Sequence, residues 1–209
     1  MTTLTTRDQA VTRQKWLTGL TIGWNSVEGV LAIAAGVAAG SVSLIGFGLD
    51  SGIEVSAAVI LAWRLAQERR TSCKLEVDKR AQRLIAVSFA ALALYVGVES
   101  MRDLVMADRP DESLVGIVMA TLSLVVMPFL ARAKRQQAPL MGSRAVEAEA
   151  AQTVLCALMS GGLLLGLGAN AALGWWWADP LAGLLIASLA AYETVAVWRA
   201  DSLEDTCCG

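Results

Sequence analysis

The sequence predicts an all-α integral membrane protein, a bundle of six transmembrane helices with both termini on the cytoplasmic side. Three observations lead there. Of the 209 residues, 56% are hydrophobic and only 17% are charged, with a mean hydropathy of +0.55; a water-soluble fold of this size lacks the polar surface to cover so much apolar side chain. The apolar residues gather into six segments, each near the roughly 20 residues a helix needs to cross a hydrocarbon core. Basic residues fall on alternate connections: with both termini inside, all of the 17 Lys+Arg except Arg102 and Arg109 lie on the inner face, as positively charged loops require.

The first segment, 16–39, follows a tail of residues 1–15 that carries Arg7, Arg13 and Lys15. Its end, Ala38-Ala39-Gly40-Ser41, imitates a signal-cleavage site, but the segment is too long for a signal core and holds Asn25 and Glu28, so it reads as a retained helix. The second, 42–63, leads into the most basic connection, with Arg64, Arg69, Arg70, Lys74, Lys79, Arg80 and Arg83. The third, 84–104, is followed by an acidic outer loop containing Asp103, Asp108, Asp111 and Glu112. The fourth, 114–133, precedes an inner loop with Arg132, Lys134, Arg135 and Arg144, and the fifth is 146–167. The sixth, 176–197, opens on Trp175-Trp176-Trp177, an interfacial aromatic anchor. The six-helix domain thus spans 16–198, with a short cytoplasmic tail, 199–209, ending in Cys207 and Cys208. Small-residue spacings at Gly36 and Gly40, and at Gly162 and Gly166, read as helix packing.

Several function classes are excluded at once. The chain has no histidine, which removes HExxH zinc hydrolases and His-dependent triads. A net charge of -2 provides no basic field for nucleic acid. The four cysteines, Cys73, Cys156, Cys207 and Cys208, have no framework spacing, and the three outside the helices fall on the reducing side. No cofactor is called for, and no enzyme chemistry is suggested.

Charge inside the spans is the informative feature, because each such residue costs roughly 2.5 to 3.5 kcal/mol on insertion scales and so faces a partner or a cavity. Asp50 and Glu54 are four residues apart on the second helix, on one face and one turn from each other. Two stacked carboxylates repel unless a cation or proton sits between them. On the fifth helix Glu149, Gln152, Thr153 and Cys156 also share a face. At 1.5 Å per residue, Asp50 is roughly 15 Å in from the outer end of its helix and Cys156 roughly 18 Å out from Arg144, near one midplane. Glu54 and Gln152 then meet about one turn closer to the cytoplasm, so two antiparallel helices present Asp50, Glu54, Gln152 and Cys156 to one ion. Asn25, Glu28 and Glu149 are placed along the path or behind these ligands, although Glu149 also reads as a solvated residue near the membrane face. Glu99 and Glu193, near helix ends, read as solvated.

The stretch Ser43-Leu44-Ile45-Gly46-Phe47-Gly48-Leu49-Asp50-Ser51-Gly52-Ile53-Glu54 resembles the second helix of the cation diffusion facilitator family of divalent-metal exporters. Ser143-Arg144-Ala145-Val146-Glu147-Ala148-Glu149, continuing through Gln152 to Cys156, is similar to that family's fifth helix, and Asp179-Pro180 with the following Leu181-Ala182-Gly183 to the start of its sixth. The resemblance covers nearly the whole chain and implies a short member without the cytosolic metal-binding domain. It also implies that Asp50 and Glu54 hold the ion, while Gln152 and Cys156 replace the family's imidazole and carboxylate by an amide and a thiol.

A thiolate selects soft or borderline metals over magnesium and calcium. The expectation is therefore a divalent transition-metal exporter, zinc first, with cadmium, cobalt or nickel behind it. It would work by alternating access with protons as counter-ion, as a homodimer in the cell membrane. Without histidine, a coupling proton has to use Asp50, Glu54, Cys156 or another carboxylate. Two rivals are a proton-coupled exporter of organic cations using Glu28 or Asp50, and a membrane protein that binds metal without moving it.

Overall fold

The computed structural model describes residues 2–67, 75–107, 111–141 and 144–199. Cys73, Arg69, Arg70, Lys74, Asp108, Arg109, Cys207 and Cys208 lie outside the described residues. Among the described residues the chain is all helix: α1 (Thr2–Ala39), α2 (Val42–Gln67), α3 (Leu75–Met106), α4 (Leu114–Met141), α5 (Arg144–Leu173) and α6 (Ala178–Arg199). Each apolar segment of the sequence lies within one of these helices or, for the sixth, begins two residues before it. Four helices run well past their segments at the end where α1 begins. Hydropathy detects only the part of a helix that lipid surrounds, whereas backbone hydrogen bonding carries the helix on into polar sequence; residues 2–15 accordingly continue α1.

Helix ends follow local chemistry. Gly40 adopts φ 65°, the left-handed conformation that glycine takes without strain, and the Ser41 N–H then reaches back to the Gly36 carbonyl at 3.0 Å to close α1. The Ser41 hydroxyl accepts from the Leu44 N–H at 3.2 Å and so caps α2. Ser113 does the same for α4, accepting from Gly116 N–H at 3.1 Å.

The helices form a ring of four with a pair beside it. α1 packs on α2, α2 on α5, α5 on α4, and α4 back on α1; α3 and α6 pair with each other and lie against α2, with α6 also on α5. Close approach depends on missing side chains. A Cβ on Gly48 would come within 3.0 Å of the Gly29 carbonyl and 2.9 Å of the Ile33 nitrogen, and one on Gly36 within 2.8 Å of the Ile45 nitrogen. Gly162 and Gly166 admit Leu185 and the Ala178–Ala182 turn of α6 in the same way. These contacts bear out the packing role expected for Gly36, Gly162 and Gly166, while Gly40 serves the turn.

Polarity is inverted relative to a soluble bundle. Phe129, Leu165 and Leu114 are 73%, 76% and 76% exposed on the outside, whereas Gln14, Thr18, Thr21, Asn25, Glu28, Asp50, Glu54, Lys134 and Glu149 are buried inside. Such a surface is stable only in lipid. α1, α2, α4 and α5 each contain a stretch long and apolar enough to cross a membrane. The protein is a multi-pass, all-α membrane bundle.

Candidate cation site

The spacing of Asp50 and Glu54 on α2 puts both carboxyls on the face turned toward the bundle interior, and both are buried. With Gln152 and Leu155 of α5, Phe89 of α3 and Glu193 of α6, they line a cavity of about 10 Å³, room for one water or one bare ion. Three of the four residues aligned by depth in the sequence therefore meet at one cavity. Cys156, a free and buried thiol, is one turn further along α5 and lies beside Glu54, within the fields of Glu54, Glu28 and Asp50 rather than on the cavity wall. Among the described residues, no three His, Cys, Asp or Glu side chains converge tightly enough to hold a metal ion. The acidic groups share a region without forming a closed coordination sphere.

Glu28 joins that region from α1. Its carboxylate accepts from Ser51 of α2 at 3.3 Å and from Ser123 of α4, whose oxygen also receives the Trp24 indole N–H at 3.2 Å. The Gly29–Gly48 contact brings α1 close enough to α2 for Glu28 to reach Ser51. Asn25, one turn away and fully buried, has no hydrogen-bond partner for either amide atom. Gln14, Thr18, Thr21, Asn25 and Glu28 recur every three or four residues and are all fully buried, giving α1 a polar stripe along the inside of the ring.

Below Glu54 is a second cluster. The Thr153 hydroxyl lies 3.0 Å from Glu54 Oε1 and 3.0 Å from its own helix's Glu149 carbonyl, and it accepts from Lys134 Nζ at 3.0 Å. Lys134, fully buried, forms an ion pair with Glu149 at 3.1 Å, and Gln14 donates to the other Glu149 oxygen at 2.9 Å. Glu54 Oε2 is buried and unpartnered.

Two sequence expectations, for Glu193 and Lys134, are corrected by this arrangement, and the solvated alternative for Glu149 is removed. Glu149 is not solvated; pairing with Lys134 compensates its burial. Glu193 is not a solvated end residue but lines the cavity. Lys134, assigned to an inner loop, is inside the ring. A signal for Lys134 did exist, since it continues the buried stripe of Ala120, Ser123, Met127 and Leu130 at helical spacing. Glu193 likewise continues Ala182, Ile186 and Ala190. Glu99, by contrast, is partly exposed and pairs with Arg102 at 3.0 Å on the surface, as its position suggested.

Residues 21–203 match the family model of the cation efflux transmembrane domain. The chain belongs to the cation efflux family. No curated protein matches it. Membership of the cation efflux family makes the bundle a cation transporter, in a family of carriers rather than enzymes, with divalent metal ions as the substrate class. The match spans all of α2 to α6 and the second half of α1, so the cavity, the Thr21–Asn25–Glu28 part of the polar stripe and the Lys134–Glu149 pair all belong to the transport domain.

Proposed function

We propose that the protein exports a divalent transition-metal ion from the cytoplasm by alternating access, zinc first and cadmium, cobalt or nickel behind it, in exchange for protons. The observation that carries this reading is the cavity in which Asp50 and Glu54 meet Gln152 inside the bundle. Two buried carboxylates one turn apart are an unfavourable arrangement in lipid that a doubly charged ion relieves. The cavity's size favours an ion over an organic cation. Asp50, Glu54 and Gln152 are the ligands of this reading. Cys156 becomes the fourth when α5 turns its thiol past Glu54, and that thiol ranks zinc and cadmium above magnesium and calcium. Glu28 and Asn25 support the site from α1, and Glu149 stands on the path below it. The Lys and Arg distribution supports cytoplasmic termini, and a homodimer is the assembly proposed with it.

The test is uptake by the purified full chain in liposomes, offered zinc, cadmium, cobalt, nickel, magnesium and tetraphenylphosphonium separately. Saturable uptake of the transition metals alone is expected. Uptake of the organic cation without any metal would replace this reading by the organic-cation exporter, and metal binding without uptake would reduce the protein to a sensor.

A further inference from the structure

Lys134 is a fully buried basic side chain, and it lies on the route between one end of the bundle and the carboxylates. Its ammonium is 3.1 Å from Glu149 and 3.0 Å from the Thr153 hydroxyl, which lies 3.0 Å from Glu54. A lysine carries its charge as a compact ammonium on a flexible four-carbon stem, so it fits where a small cation fits and can be withdrawn without moving the backbone. About one turn nearer the end of the bundle, each ring helix contributes one buried apolar residue, Ala10, Leu61, Ala138 and Val146, to a small separate cluster. That end of the ring is thus shut twice, by an apolar layer and then by an ion pair.

We propose that Lys134 is a tethered counter-cation: its ammonium takes the place between Glu149 and Thr153 that a divalent ion passing to Glu54 and Asp50 must occupy. The substrate ion displaces the ammonium from Glu149, and the ammonium returns to Glu149 once the ion has moved on. Lys134 therefore weakens cation binding at this end of the ring and speeds release from it. The inference rests on the divalent-cation reading given above. It assigns no ligand role to Lys134, which acts through Glu149 and Thr153 as a positioning residue. A merely structural ion pair behaves differently, because removing either partner then harms folding and leaves cation affinity unchanged or lowers it in both cases.

The opposite signs expected of the two partners provide the test. Zinc binding is measured by equilibrium dialysis of the full chain in detergent, and zinc uptake by reconstituted vesicles, for the wild type, Lys134→Met, Lys134→Arg, Glu149→Gln and the double variant Lys134→Met with Glu149→Gln. Removing the fixed positive charge should tighten zinc binding about tenfold and lower the maximal uptake rate, whereas Glu149→Gln, which leaves the ammonium facing Glu54 alone, should weaken binding about tenfold. The double variant and Lys134→Arg should both lie within about threefold of wild type, since the charge balance is restored in the first and never lost in the second. Should Lys134→Met not fold, the Glu149→Gln, Lys134→Arg and double variants decide: equal affinities in these three overturn the proposal. Weaker binding in folded Lys134→Met also overturns it. A wild-type chain that neither binds nor transports zinc or any other divalent ion overturns the transport reading itself, an outcome distinct from unshifted affinities in an active carrier.

Discussion

Glu54 is the residue on which the two buried clusters converge. One oxygen is hydrogen-bonded to Thr153, the other is unpartnered, and Asp50 and Cys156 stand beside it. An unsatisfied carboxylate oxygen inside a bundle is costly, and a bound cation is the natural way to satisfy it. Glu54→Ala should leave the protein in the membrane, cut zinc uptake at least about tenfold and retain weak binding through Asp50. Wild-type affinity in a zinc titration of that variant would make Glu54 a structural hydrogen-bonding residue. Cys156 makes a separable prediction. Cys156→Ala should weaken cadmium uptake more than cobalt uptake, and Cys156→Asp should move preference toward cobalt and manganese, because an oxygen ligand is harder than a thiolate. One selectivity order shared by all three proteins in competitive uptake would leave Cys156 as packing.

At the scale of elements, the α1–α2 contact decides whether Glu28 reaches Ser51. Its close fit is made by backbone atoms, so Gly48→Ala should cost about 1 to 3 kcal/mol through overpacking. Gly52→Ala, on the same helix with nothing within 4 Å of the added carbon, should be neutral or gain up to about 1 kcal/mol of helix propensity. Thermal unfolding of the two variants in detergent checks the contrast, and equal losses would contradict the packing account. The positions of the helices were legible in the sequence, because 20-residue apolar runs have few other solutions. So was the meeting of Asp50, Glu54 and Gln152, which needs only 1.5 Å per residue and the antiparallel course of α2 and α5. Which face each helix turns inward was less legible. Lys134, Glu149 and Glu193 were read by their distance from a helix end, whereas their burial depends on the face each helix turns inward and, for Lys134 and Glu149, on a partner that neutralises charge. Hydropathy scores a lysine as a terminus whether or not a glutamate waits for it on the next helix.

As a whole, the molecule has an apolar exterior around a ring of four helices whose interior carries Gln14, Asn25, Glu28, Asp50, Glu54, Lys134 and Glu149. The proposed exchange against protons rests on Glu28, Asp50 and Glu54 lying buried close together, since either a proton or a cation can offset the repulsion of such a cluster. In liposomes, an acid interior should therefore accelerate zinc uptake relative to vesicles without a gradient, since protons leave as zinc enters. Identical initial rates under both conditions would remove the proton coupling and leave a facilitator. The central claim is that a divalent ion crosses this bundle through Asp50, and zinc uptake by Asp50→Ala at matched reconstitution and unchanged folding tests it most directly. Uptake at the level of empty vesicles is expected, because Glu54 and the neutral Gln152 cannot between them balance a doubly charged ion in the bundle interior. Uptake equal to wild type would contradict it.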